Sequence, residues 1–292
     1  MNDQLDRLRA PDMFVCRLHD RREFEAAWAS ATDRTAYEEL LQRAYAEVDR
    51  WWLPAVCQAC GVAVGLLADK QYGWPRRVNF RERLACPRCQ LNTRQRLMAH
   101  LVRRVVGAGG GSPRVYLYEQ VTPFFQWARA SLPANVIGSE YLGHGLPGGT
   151  VINGIRHEDA LALSFEDASL DLVVSQDVLE HVPEIEPAIS ESARVLRPGG
   201  HFYFSVPFNV SADVTIQRAV VSGGEVVSLM EPQFHGNPLA AEGSLVFYDH
   251  GWDLLDRLRA SGFADVCMLG VWSALYGYLG GGLLTVFTAR RV

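Results

Sequence analysis

"DLVVSQDVLEHVPEIEPAISESARVLRPGGHFYFSVP", residues 171–207, is the stretch on which the fold turns. Its first seven residues, 171–177, form a short apolar, β-branched run that reads as a buried strand. "PAISESARVL" reads as a helix, and Pro198-Gly199-Gly200 stops it. "HFYFSVP", 201–207, is a second strand candidate. Strand, helix and strand in that order is the unit of a parallel sheet, because parallel neighbours need a long crossover. Outward from this unit, strand candidates recur at 114–119, 135–140 and 150–159 on one side, and at 264–269 and 283–289 on the other. The alternation predicts an α/β fold with a mainly parallel sheet and helices on both faces. No internal repeat is present.

The acids fall in register with these strands. Glu119, Glu140, Asp159 and Asp177 each end a strand candidate. In an open α/β sheet the ligand lies across the carboxyl ends of the strands, so the four carboxylates are expected to line one crevice. A carboxylate ending the second strand can accept both hydroxyls of a ribose, which suits Glu140. An acid in the next loop, Asp159, can accept an adenine amino group.

Residues 159–207 also carry an acid-Ala pair, "F-x-D-x-S-x-D", "LEHV" after the fourth strand and "LRPGG" before the fifth. With these motifs the chain resembles the class I S-adenosylmethionine-dependent methyltransferases over roughly residues 114–292. "SEYLG" and "GWDLLDRLRASGF", behind a cysteine-bearing lobe, further resemble bacterial methyltransferase-like proteins. The resemblance implies a Rossmann-like seven-stranded sheet whose last strand, 283–289, is antiparallel. It places Glu140, with Tyr141 beside it, at the ribose, and Asp159 with Ala160 at the adenine. Gln176, Asp177 and His181 would close the methionine end, although His181 can equally be a packing residue.

One departure stands out. Where the family has an acid and a glycine-rich turn, this chain has Glu119-Gln120-Val121-Thr122-Pro123. The side chains push the turn away from the cofactor's aminocarboxypropyl arm. Glu119 can take the ammonium and Gln120 the carboxylate, which predicts an altered binding mode. The glycine run "GAGGGSP", 107–113, precedes its strand, whereas a ligand loop must follow one, so it reads as a hinge.

Four of the six cysteines are paired as "CQACG" and "CPRC": Cys57, Cys60, Cys86 and Cys89, with 25 residues between the pairs. Two such knuckles supply the four thiolates of a tetrahedral zinc site, structural because no position stays open. Disulfides are the alternative, which a cytoplasmic chain disfavours. The expected organisation is a helical segment at 1–55, a zinc-binding lobe and basic helix at 56–106, the hinge at 107–113, and the cofactor-binding domain at 114–292. A long insertion at 208–250 reads as a lid or substrate platform. It offers His235, Tyr248, Asp249 and His250 as general bases. Trp272, Tyr276 and Tyr278 read as a pocket-mouth or core stripe.

The net charge of −5 argues against a nucleic-acid-coating protein, although residues 76–104 hold nine arginines against one acid, Glu82. Those arginines either pair with acids elsewhere or form a patch for an acidic or phosphorylated substrate or a carrier protein. No signal peptide or membrane span is read, so a cytoplasmic protein is expected. The functional expectation is a methyltransferase acting on a small molecule or tethered biosynthetic intermediate. The first alternative is a cyclising lyase of the same fold that converts S-adenosylmethionine to 1-aminocyclopropane-1-carboxylate and methylthioadenosine. The second is a non-catalytic zinc-ribbon binding module. The residues specify neither the acceptor nor the oligomeric state.

Overall fold

Val115 to Leu117 and Leu172 to Val174 are fully buried, as strands covered on both faces must be. The computed structural model describes residues 12–73, 77–108 and 111–292, apart from the side chain of residue 108. The chain begins with β1 (Phe14–Leu18), α1 (Arg21–Ala29), α2 (Thr32–Ala44), β2 (Arg50–Cys57), β3 (Val62–Asp69) and α3 (Thr93–Ala108). Then come β4 (Arg114–Leu117), α4 (Pro123–Ser131), β5 (Asn135–Gly138), β6 (Val151–Ile152) and β7 (Ile155–Arg156). β8 (Leu170–Gln176), a single 3-10 turn at Leu179–His181, α5 (Ile185–Val195) and β9 (Leu196–Ser205) follow.

The insertion supplies β10 (Ile216–Gln217), β11 (Ala219–Ser222), β12 (Glu225–Ser228), β13 (Phe234–Asn237), β14 (Ala240–Leu245) and β15 (Tyr248–Asp249). The chain closes with α6 (Asp253–Ala260), β16 (Phe263–Trp272) and β17 (Leu284–Arg291).

The main sheet has seven strands in the order β1-β16-β17-β9-β8-β4-β5. β5, β4, β8 and β9 are parallel neighbours, and β17 runs antiparallel to both β9 and β16. The expected sheet and its antiparallel last strand are therefore present, but the strand set differs at both edges. Residues 150–159 form the small β6/β7 hairpin and touch the sheet through one parallel bridge, Glu140 to His157. Gly149, Asn153 and Gly154 all take positive φ there, which turns the chain back before a strand can run. The seventh strand is β1, antiparallel to β16 along Phe14–Leu18.

The segment read as helical, 1–55, thus holds two helices and two strands, with residues 1–11 outside the described ones. The run that hides β2, "DRWWLP", carries strand-favouring tryptophans at the end of a helical pattern. Of the expected hinge, Gly109 and Gly110 lie outside the described residues.

β2 and β3 form a hairpin that carries the first cysteine pair and shares a core with the main sheet. Leu53, Leu66, Cys57 and Leu97 belong to the same buried cluster as Leu117, Phe125, Trp127 and Leu172. On the other side, Glu38 of α2 is buried and accepts from the amides of Gly280, Gly281 and Gly282 and from the indole of Trp272. The triple glycine lets three consecutive amides converge on one carboxylate, since Gly281 and Gly282 both need positive φ. Tyr276 and Tyr278 are core residues under the lobe, not at a pocket mouth. Among the described residues no helix is long and apolar enough to cross a membrane.

Candidate active site

The strand order reverses between β4 and β8, which is where an open α/β sheet opens a crevice. Glu119 leaves the end of β4 and Gln176 ends β8, and the two meet: Gln176 Nε2 donates to Glu119 Oε1 at 2.6 Å. Thr122 Oγ1 donates to the other oxygen at 2.5 Å and also accepts from Phe125 N, capping α4 with Pro123 in its first turn. Burial raises the Glu119 carboxyl above its ordinary value, against the opposing pull of Thr122, Gln176 and Arg94. Gly138 is required beside this turn because a Cβ would stand 2.4 Å from the Phe125 ring.

The opening turn is held by Glu140. Its Oε1 accepts from the amides of Gln120 (2.7 Å) and Val121 (2.9 Å), so this carboxylate takes the amides a ligand would meet in a glycine loop. The Gln120 side chain is engaged at both ends, donating to Gly154 O at 2.8 Å and accepting from Arg156 N at 2.8 Å. It clamps the β6/β7 hairpin, and the direct contact with a cofactor carboxylate expected of it is displaced by these bonds. Asp159 Oδ1 accepts from Leu161 N at 2.9 Å, and Ala160 packs partly buried beside it. Tyr141 is exposed, with its ring 5.5 Å from that of His157. The neighbouring Glu158 is buried and binds Arg156 and Ser164, a structural role the strand-end pattern did not single out.

Asp177, at the tip of β8 with φ +53, faces two arginines from the cysteine lobe. Arg81 lies 3.4 Å from Oδ1 and Arg94 3.3 Å from Oδ2, while Ser205 donates to Oδ1 at 2.8 Å. Burial would raise this carboxyl, but Arg94 and Arg81, with the Ser205 bond, hold it below its ordinary value. Both arginines also bind Glu82. Arg77 pairs with Glu39, Arg83 with Asp69, and Arg103 donates to Ala59 O at 2.9 Å. Arg96 is fully buried and donates to the carbonyls of Tyr276 and Gly277. Most of the arginine-rich segment is therefore internal wiring, with Arg88 and Arg104 exposed and Arg76 outside the described residues.

The four cysteines come together. Cys57 Sγ lies 3.8 Å from Cys89 Sγ, Cys60 Sγ lies 3.8 Å from Cys86 Sγ, and all four fall within 4.8 Å of one another. A tetrahedron with metal–sulfur bonds of about 2.3 Å has edges of about 3.8 Å, whereas a disulfide needs about 2.05 Å. Gly61 and Gln90, both at positive φ, close the two knuckles. The donor set fits a structural zinc ion. Trp127 Nε1 of α4 donates to Ala59 O at 3.0 Å, docking the first knuckle against the helix that follows β4.

Residues 105–204 match the family model for a methyltransferase domain. Over that third of its length the chain is similar to methyltransferase domains. Its curated relatives include the 27-O-demethylrifamycin SV methyltransferase of Amycolatopsis mediterranei, 38% identical over 87 residues, 27% of this chain and 32% of that one. A ubiquinone biosynthesis O-methyltransferase of Pectobacterium carotovorum is 27% identical over 90 residues, 31% of this chain and 36% of that one. The chain thus matches about a third of the length of each. Among solved structures, an S-adenosylmethionine-dependent methyltransferase from Mesorhizobium loti aligns with 62% of this chain and 92% of its own, at 20% identity and a TM-score of 0.38.

The insertion packs against the turn that follows β8, and it sorts the expected bases. His250 is fully buried with neither ring nitrogen bonded, and burial lowers it to about 4. Tyr248 is buried and donates to Pro183 O at 2.8 Å, and Asp249 pairs with Arg218. Of these, the Tyr248 bond ties the insertion to the domain, while the Asp249–Arg218 pair lies within the insertion itself. His235 is the exception: it packs edge-on against His181, ring centroids 5.0 Å apart. His181 and His235 thus form a pair, which their 54-residue separation in the sequence could not reveal.

Proposed function

We propose that the protein is an S-adenosylmethionine-dependent methyltransferase acting on a small molecule or a carrier-tethered intermediate. The observation that carries this reading is the crevice at the switch between β4 and β8, inside the segment that matches a methyltransferase domain. The nucleoside end fits the cofactor. Glu140 and Asp159 each use one oxygen on the local backbone, Oε1 and Oδ1, which leaves Oε2 for ribose hydroxyls and Oδ2 for the adenine amino group.

At the other end, Arg81 and Arg94 meet at Asp177, where they would offer donors to the α-carboxylate, and Asp177 and Glu119 would face its ammonium. Bound S-adenosylmethionine supplies an already activated methyl group. The protein's task is then alignment of the acceptor and exclusion of water, which the insertion over the crevice can perform. The same reading makes Cys57, Cys60, Cys86 and Cys89 a structural zinc site whose work is to hold Arg81 and Arg94 in place.

Incubation of the protein with S-adenosylmethionine and candidate acceptors, followed by chromatography of the nucleosides, tests the reaction class. S-adenosylhomocysteine is the expected product. Methylthioadenosine formed without any acceptor would replace methyl transfer by cyclisation of the cofactor itself.

A further inference from the structure

Glu180 is fully buried, and neither of its carboxylate oxygens has a hydrogen-bond partner. A buried carboxylate left without donors costs several kcal/mol, so a partner is called for. The nearest polar atoms are His181 Nε2, 3.5 Å from Oε1, and His235 Nδ1, 3.4 Å from the same oxygen. All three ligand atoms lie within 4.8 Å of one another. We propose that Glu180, His181 and His235 bind a divalent transition-metal ion, separate from the four-cysteine site, whose open positions receive a hydroxyl or phenol oxygen of the acceptor.

The ring orientations suit a shared ion. His181 Nδ1 lies 2.8 Å from Leu245 O, a group that can only accept, which leaves Nε2 as the ring nitrogen facing Glu180. His235 Nδ1 faces the same Glu180 oxygen, while its Nε2 lies 3.3 Å from Gln233 Nε2. Metal–ligand bonds of about 2.0–2.1 Å in tetrahedral array put donor atoms about 3.4 Å apart, the spacing of each histidine nitrogen from Glu180 Oε1 here.

Two histidines and one carboxylate leave coordination positions open, as a site that binds a substrate oxygen must. Its place fits that use. Glu180 and His181 follow the tip of β8 within the crevice, and His235 comes from β13 of the insertion. The insertion is already tied to this turn by Phe247 N to Glu180 O at 2.7 Å and by the Leu245 carbonyl on His181. A metal would fasten the lid to the domain beside the acceptor.

The site itself stands apart from the methyltransferase reading, but its substrate class rests on it. The test counts metal on the full-length protein, purified, saturated with Zn2+ and dialysed, using mass spectrometry for zinc. The expected result is two equivalents per chain in the wild type and one in His181→Ala and His235→Ala. The remaining equivalent, held by the cysteines, reports that each variant is folded. Co2+ added to protein holding one zinc should give the weak visible bands of a nitrogen- and oxygen-ligated ion, shifted by catechol added as a hydroxyl probe.

One equivalent in the wild type with no saturable Co2+ binding would overturn the site, as would an unchanged second equivalent in both variants. A second ion that is present but unmoved by catechol would overturn the acceptor assignment. A protein that holds two ions yet consumes no S-adenosylmethionine would contradict the enzymatic reading and leave the metal site standing.

Discussion

Glu140 Oε1 fixes the opening turn through the amides of Gln120 and Val121, and the proposed function gives Oε2 to the ribose. Charge-assisted bonds are worth roughly 1.5–3 kcal/mol each, so Glu140→Gln should weaken S-adenosylmethionine binding about 10- to 100-fold, read as Kd by calorimetry, while the fold survives. His250 makes a different prediction. Its folded pKa is lowered to about 4 by burial, whereas an unfolded histidine titrates near 6.5. The unfolded state therefore binds the proton first, and stability falls as pH drops from about 6.5 to about 4, by roughly 3 kcal/mol for this residue. Urea midpoints measured across that window should fall in the wild type and fall less in His250→Phe, which keeps an aromatic ring against Tyr248.

Glu119, Glu140 and Asp177, just past β4 and β5 and at the end of β8, were legible at this scale because a strand's end is marked by its own neighbours. Asp159, by contrast, follows the β6/β7 hairpin and ends no strand of the main sheet. The counter-ions of Asp177 were not legible. Arg81 and Arg94 lie 96 and 83 residues upstream, and no local pattern joins them to it.

At the level of elements, the opening turn without glycine works because its amides point at a carboxylate of this chain. Thr122 and Pro123 then start α4 as an ordinary capped helix. The cysteine lobe is likewise wired into the crevice, through Arg81, Arg94 and the Trp127 contact. If the four cysteines hold zinc as proposed, removing the ion with a strong chelator, or making Cys86→Ser, should release those arginines and abolish cofactor binding. Arg94→Ala alone should weaken binding at least tenfold and leave zinc in place. Retained affinity after zinc removal would separate the lobe from the crevice.

The helical and strand periods announced most of the elements. They did not announce β1 as the seventh strand, since a five-residue edge strand is too short to show a period. Nor did they show that residues 150–159 fold back as a hairpin, a choice made by three left-handed residues within six positions.

Over the whole molecule, chain order conceals how the ends are joined. The N-terminal helices grip the C-terminal loop through Glu38, which satisfies three amides and an indole in a buried setting. Glu38→Ala should leave those donors unsatisfied, costing about 3 kcal/mol and lowering Tm by roughly 5–10 °C in a thermal melt. A Tm within 1–2 °C of the wild type would show the ends to be independent.

The account as a whole rests on the crevice between β4 and β8 accepting S-adenosylmethionine through a turn that holds no glycine. Calorimetric titration of the zinc-loaded protein with S-adenosylmethionine tests this most directly. The account predicts saturable heat at one ligand per chain, weakened in Glu140→Gln and lost in Arg81→Ala/Arg94→Ala. No heat at millimolar ligand from folded, zinc-loaded protein would contradict it.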